Sequence, residues 1–165
     1  MIATRSPLWR PIAAAAGAAM AVAVLGGLMT DIGNWYHDLA KPSWQPPDWL
    51  FGPVWTVIYA LAATAGVLAW RATSKRETRE VILGAFALNG FLNVLWSGLF
   101  FRLHHPDWAL LEVGVFWMSI AILMFVLFQV SQAAMWLLAP YLGWVAFAGV
   151  LNLAVVRLNN FAVGL

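Results

Sequence analysis

The sequence predicts an all-α integral membrane protein, a bundle of five transmembrane helices, on three observations. The 165 residues are 63% apolar and 10% charged, against roughly 45–50% and 25% in soluble domains. The apolar residues fall into five blocks, each close to the ~20 residues that cross a bilayer as a helix. The connectors are short, except for 31–52, which is dense in tryptophan and proline. The chain is expected to form one membrane domain over 1–165, with consecutive helices packing as antiparallel neighbours.

The five predicted spans are 11–30, 53–71, 80–101, 107–128 and 133–156. The first follows Arg5 and Arg10, as a secretory leader would, but its apolar run exceeds the ~7–15 residues of such a leader. It also carries the small pair Gly17 and Ala21, which suits close helix approach, and it reads as a retained helix. The second is interrupted only by Thr56 and Thr64, and Pro53 sits at its start, where a missing N–H costs nothing. The third is the least hydrophobic because it carries Asn89 and Asn93. The fourth opens on Pro106, which suits a first turn for the same reason. In the fifth, Pro140 lies about two turns inside the helix and should kink it, freeing a carbonyl near position 136.

Charge adds orientation. Arg5, Arg10, Arg71, Lys75, Arg76 and Arg79 would share one side of the membrane, and Lys41, Arg102 and Arg157 the other. The excess places the N-terminus in the cytoplasm and the 31–52 loop outside. The net charge of +2 is small and its basic residues sit in loops, so no nucleic-acid face is predicted. With no cysteine, disulfides, thiolate metal sites and cysteine nucleophiles are excluded.

The loop runs Lys41-Pro42-Ser43-Trp44-Gln45-Pro46-Pro47-Asp48-Trp49-Leu50-Phe51-Gly52-Pro53 into the second span. Proline fixes φ and removes donors, so this stretch is a stiff, compact cap and not a continuous helix. Three helix faces could lie beneath it. Trp55 and Tyr59 form an i, i+4 pair on span two. Asn89, Asn93 and Trp96 share a face of span three, and Trp144, Ala148 and Asn152, with Tyr141 a turn away, share one of span five. An unpaired amide in hydrocarbon costs a few kcal/mol, so these asparagines must face the interior, either as interhelical glue or as ligand fixtures. Together the faces could line an apolar pocket with a few polar groups, as a flat hydrophobic ligand requires. Trp9, Trp70, Trp108 and Trp136 near span ends read as interfacial anchors.

Ionisable residues offer less. His37, His104 and His105 fall in loops, and axial haem ligation by any of them has little support. Asp31, Asp38 and Asp48 match no metal loop, and no metal site is expected. Glu112, one turn into span four, suits the positive end of that helix, with a proton relay as the functional alternative. No hydrolase constellation or phosphate-cradling loop is present.

Trp35-Tyr36-x-x-Leu39-x-Lys41-Pro42, followed by Trp44-x-Pro46-Pro47-x-Trp49-x-Phe51-x-Pro53-x-Trp55-Thr56-x-x-Tyr59, resembles the signature of the TspO/MBR family. This is the family of bacterial tryptophan-rich sensory proteins and the mitochondrial translocator protein or peripheral benzodiazepine receptor. Asn93-x-x-Trp96-Ser97-x-x-Phe100-Phe101, and Pro140-Tyr141-x-x-Trp144 through Leu151-Asn152, resemble its third- and fifth-helix patterns. The resemblance covers about 10–159. It implies a five-helix bundle, commonly a homodimer, with a ligand cavity beneath the first long loop. It also implies ligands such as protoporphyrin IX or a haem-related tetrapyrrole, isoquinoline-carboxamides and benzodiazepines, and no obligatory cofactor. Two pocket tryptophans implicated in light-dependent oxidative porphyrin breakdown match Trp55 and Trp144, and further pocket positions match Tyr36, Asn93 and Ala148. The family's sterol motif needs a tyrosine before Arg157 that Leu151-Asn152-Leu153-Ala154-Val155-Val156 does not supply, which weighs against cholesterol.

The sequence therefore predicts a membrane receptor or sensor whose ligand contacts are Tyr36, Trp44, Trp55, Tyr59, Asn93, Trp96, Trp144, Ala148 and Asn152, with Trp55 and Trp144 as the photochemical pair. The alternative is transport of porphyrin, lipid or sterol. The expected partners are the bilayer, a hydrophobic small molecule and a second copy of the chain, with a closely packing small-residue face at Gly17/Ala21 or Ala85. The expected location is the bacterial cell membrane with a cytoplasmic N-terminus, an outer membrane being the alternative.

Overall fold

The computed structural model describes residues 9–161; Arg5, one of the orienting charges, lies outside them. Among the described residues five helical stretches are long and apolar enough to cross a membrane. Helix α1 covers Trp9–Met29. Within the following loop lie a short helix α2, Asn34–Asp38, and a single 3-10 turn, Asp48–Leu50. That turn leads directly into α3, Phe51–Ala72, so Pro53 falls in the first turn, where no donor is needed. Helix α4 is Arg76–Ser97 and continues as a π-helical turn over Gly98–Arg102; α5 follows over Pro106–Phe128.

The predicted fifth span is two helices, α6 Gln132–Trp136 and α7 Ala139–Leu158. Here the structure corrects the sequence reading. Pro140 occupies the first turn of α7, so its missing N–H breaks the segment outright at Leu137–Leu138 and does not kink a continuous helix. Ser131 caps α6 by accepting a hydrogen bond from Ala134 N at 3.2 Å.

The helices close into a ring. α1 packs on α3 and α4, α4 on α5, and α5 on α6 and α7, while α6 returns to α3. α5 contributes Phe116, Ile120, Leu123 and Leu127 to a buried core that also holds Ile58 and Ala65 of α3, Ile82 of α4 and Val145 of α7. α1 has one buried residue, Gly26, and presents Ile12, Met20, Val24 and Leu28 outward. Outward apolar side chains are what a lipid solvent requires, and packing inside must then come from small residues and shape. A Cβ at Gly17 would meet nothing within 4 Å, so that face points away from the bundle, whereas Ala85 packs inside it.

Candidate functional site

Near the middle of the bundle a chain of side-chain hydrogen bonds crosses four helices in one direction. Tyr59 Oη donates to Asn93 Oδ1 at 2.8 Å, and Asn93 Nδ2 donates to Tyr141 Oη at 3.4 Å. Tyr141 Oη donates to Asn89 Oδ1 at 3.0 Å, and Asn89 Nδ2 to Ser119 Oγ at 3.0 Å. Ser119 Oγ ends the chain on the Phe116 carbonyl at 2.7 Å. Both asparagines are buried, and the sequence reading that they must face inward holds. In hydrocarbon each would be costly alone; linked, they fix the register of α3, α4, α5 and α7. α1 meets this plane through Gly26, where a Cβ would lie 3.8 Å from both Asn93 Oδ1 and Tyr59 Oη.

Above this plane the loop closes over an aromatic chamber. Trp55 stacks on Tyr59 at 5.4 Å and meets Tyr141 edge-on at 6.0 Å. Trp96 stacks on Phe100 at 5.3 Å, and Phe100 in turn contacts Phe101 at 4.7 Å. Trp144 meets Phe51 at 5.6 Å and Phe147 at 5.4 Å, while loop residue Trp44 meets Phe147 at 5.9 Å. The π turn after Gly98 was not legible in the sequence. It brings Phe100 and Phe101 together beneath the loop, in keeping with the tendency of π turns to occur at functional sites.

The loop is tied down at several points. Tyr36 Oη donates to Asp48 Oδ1 at 2.9 Å and accepts from Gln45 Nε2 at 3.2 Å. Burial first, and the Asp48 carboxylate second, hold the Tyr36 hydroxyl well above the ordinary tyrosine range. Lys41 donates to the Tyr36 carbonyl, its ammonium 4.1 Å from the Tyr36 ring centroid. His104, with φ of 57°, stacks on Trp35 at 4.1 Å. Asn159 at the end of α7 clasps the Ala40 backbone, accepting from its N–H and donating to its carbonyl, both at 2.9 Å. Sequence reasoning missed that clasp, since nothing local marks a partner 119 residues away.

With the loop so placed, the space beneath it is small, about 40 Å³, bordered by Tyr36, Phe51, Trp96 and Ala148 among others. Three polar atoms of the predicted contact residues, Trp96 Nε1, Trp144 Nε1 and Asn152 Oδ1, are buried without a partner among the described residues. Asn152 Nδ2 is satisfied by the Pro106 carbonyl at 2.7 Å. Both carboxyl oxygens of Glu112 are likewise buried and unpartnered among the described residues. His105 lies 3.4 Å from Asp107. Among the described residues no three His, Cys, Asp or Glu side chains gather as a metal site.

The large cavity lies on the other side of the hydrogen-bonded plane. It holds about 1030 Å³ between α1, α3 and α4, and of the nine predicted contacts only Tyr59 lines it. Tyr36, Trp96 and Ala148 border the small chamber; Trp44, Trp55, Asn93, Trp144 and Asn152 line neither space.

A multi-pass membrane bundle of five spanning helices, capped by a tryptophan- and proline-rich loop and crossed by a buried amide–phenol chain, is the class these features define. The chain belongs to the TspO/MBR family, whose model matches residues 14–158. It is 38% identical over 145 residues to the tryptophan-rich protein TspO of Chlorobaculum tepidum, covering 87% of this chain and 92% of that one. It is 36% identical over 128 residues to the human translocator protein, covering 77% and 76%. The tryptophan-rich sensory protein of Cereibacter sphaeroides is 35% identical over 126 residues, covering 76% and 77%.

Proposed function

We propose that this chain is a membrane receptor that takes a planar tetrapyrrole such as protoporphyrin IX into the aromatic chamber beneath the 31–52 loop. The observation that carries this reading is a set of unpartnered polar atoms on the loop side of the hydrogen-bonded plane. The indole N–H groups of Trp96 and Trp144 and the Asn152 oxygen are buried without partners among the described residues. Trp96 borders the closed space, whereas Trp144 and Asn152 reach a ligand only once the chamber opens; these atoms are then groups that it can satisfy. The names of the relatives, sensory protein and translocator protein, agree with a ligand-responsive role. A space of about 40 Å³ is far below the ~300 Å³ of a small ligand pocket. Entry therefore requires the loop to lift and Trp55 and Trp144 to part around the macrocycle. Isoquinoline-carboxamide or benzodiazepine-type molecules would use the same chamber.

Binding is tested by titrating the detergent-purified protein with protoporphyrin IX in the dark and following tryptophan fluorescence, beside a Trp55→Phe/Trp144→Phe double variant. Saturable quenching that weakens in the variant supports the reading. Linear quenching equal in both reports partitioning into the micelle and ends it. Light-dependent oxidative breakdown, with dioxygen as oxidant, is a separable extension: product must form under illumination and vanish in the double variant. Transport is the weaker alternative, because the hydrogen-bonded plane separates the two spaces. The basic residues at 71–79 and Arg10 support a cytoplasmic N-terminus, and a bacterial cell membrane is part of this proposal. A homodimer through the outward Gly17/Ala21 face belongs to the same proposal.

A further inference from the structure

The 1030 Å³ cavity has a shape with a physical origin. α1 and α4 meet at Val22 and Gly90, where a Cβ on Gly90 would lie 2.9 Å from Val22 Cγ2. Toward the start of α1 the facing walls are Ala14, Ala18, Ala62, Gly66 and Ala87. Side chains that small cannot bridge the gap, so a cleft is left. Ala14 and Ala18 on α1 and Leu83 and Ala87 on α4 line the cleft and are also outwardly exposed, so the cleft opens sideways into the bilayer between these two helices.

Its two ends differ in chemistry. At the deep end Tyr59 is bonded to Asn93, and Tyr141 to both Asn93 and Asn89, so each polar side chain that a ligand would meet there already has a partner. At the membrane surface Arg10 and Arg79 line the cleft, and neither has a carboxylate partner among the described residues. Arg79 is held in place, donating to the Thr73 carbonyl at 3.0 Å and the Trp70 carbonyl at 3.2 Å, with its guanidinium 4.5 Å from the Trp70 ring centroid. Its remaining donors are unpaired among the described residues. From Arg10 to Leu25, both of which line the cleft, the helical rise is about 22 Å. That equals half of a bilayer measured with its headgroups, roughly 40–45 Å.

We propose that this cleft is a binding site for one anionic phospholipid, with an acyl chain between α1 and α4 and the phosphate between Arg10 and Arg79. The second chain stays in the bilayer through the open side. The single charged end, the uncharged deep end with its polar groups already paired, and the one-leaflet length select an amphiphile of this form over a ligand charged at both ends. The site is separate from the tetrapyrrole chamber, though Tyr59 borders both, and its proposal does not rest on tetrapyrrole binding.

The test is native mass spectrometry of the detergent-solubilised protein after equilibration with phosphatidylglycerol or phosphatidylcholine of identical acyl chains. Each cation near a membrane surface favours anionic lipid by roughly fivefold, so wild type should prefer phosphatidylglycerol by about thirtyfold. Arg10→Gln/Arg79→Gln should retain one lipid but bring the preference close to unity. Ala18→Phe, filling the cleft, should lose the retained lipid of either kind, and Ala87→Leu provides the same test from α4. Equal retention of the two lipids by wild type would overturn the proposal, as would a preference that survives in the double variant. Retention unchanged in both filling variants would mean annular lipid only. If the arginine variants fail to fold, salt must lower the wild-type preference, and a salt-independent preference counts against the site.

Discussion

Tyr141→Phe removes one hydroxyl from the centre of the hydrogen-bonded chain and leaves the ring in place. Phe116 and Trp55 still meet that ring at 5.9 and 6.0 Å, so packing is kept and the effect is polar. Two groups lose their partner: Asn89 Oδ1, now accepting at 3.0 Å, and Asn93 Nδ2, now donating at 3.4 Å. Interhelical hydrogen bonds in membrane proteins average ~0.6 kcal/mol and reach ~1.7; the shorter bond belongs near the upper figure and the longer near zero. Stranding an amide oxygen in a dry interior adds to this, because a lone buried acceptor costs ~1–3 kcal/mol. The expected loss is about 3 kcal/mol. Tyr59→Phe breaks the shorter 2.8 Å bond and strands Asn93 Oδ1, so it should cost about as much. Because both tyrosines bond to Asn93, the double variant should depart from additivity by ~0.5 kcal/mol or more. Unfolding in mixed micelles of dodecyl maltoside and increasing SDS, followed by far-UV circular dichroism, measures all three. A Tyr141→Phe protein within ~0.3 kcal/mol of wild type would refute the chain as a structural tie, as would strict additivity.

Asn159→Ala removes the clasp on Ala40; amide exchange at residue 40 should quicken, and protoporphyrin association should speed by roughly five- to tenfold if the loop must lift for entry. No change in either would show that the clasp does not restrain the loop. Gly90→Ala forces a Cβ to 2.9 Å from Val22 and should cost ~1–3 kcal/mol, with Val22→Ala restoring most of it. Burial and Asp48 raise the folded Tyr36 hydroxyl above its ordinary value of 10.0, so the folded loop holds its proton more tightly than the unfolded chain. The stability contributed is fully present below pH ~10 and is lost as pH rises through the folded value; exchange protection of 36–48 should fall there, and the fall should vanish in Tyr36→Phe.

Composition and block length carried the fold into the sequence, because in lipid only closed backbone hydrogen bonding survives and helices must therefore be long and apolar. The inward placement of Asn89, Asn93 and Asn152 was legible for the same reason. Which groups they would meet was not. The Ser119 partner and the Tyr59–Asn93–Tyr141 order depend on helix rotation and stagger, which an apolar block surrounded by lipid leaves unspecified. Pro140 announced a disturbance, but only the three-dimensional course of α6 against α3 decides between a kink and a full break. The loop's aromatic density marked the chamber, while its closure is fixed by distant pairs such as Ala40 with Asn159. The large cleft left no motif, because alanine and glycine read equally well as close helix contacts or as an unfilled gap.

Tyr59 links the two spaces. Its ring stacks under Trp55 in the chamber, its edge lines the cleft, and its hydroxyl anchors the plane between them at Asn93. A macrocycle wedged against Trp55 must shift that ring or forgo the space, and shifting it strains the bond to Asn93 and alters the roof of the cleft. Conversely, an acyl chain pressed against the roof holds Tyr59 in its bonded position and resists entry from above. Two ligands that set opposite demands on one side chain bind with negative coupling, and by linkage each weakens the other by the same factor. Under the two proposals, the residue that ties the plane together also couples the sites, so added protoporphyrin IX should lower the retention of phosphatidylglycerol, and unchanged retention would refute the coupling.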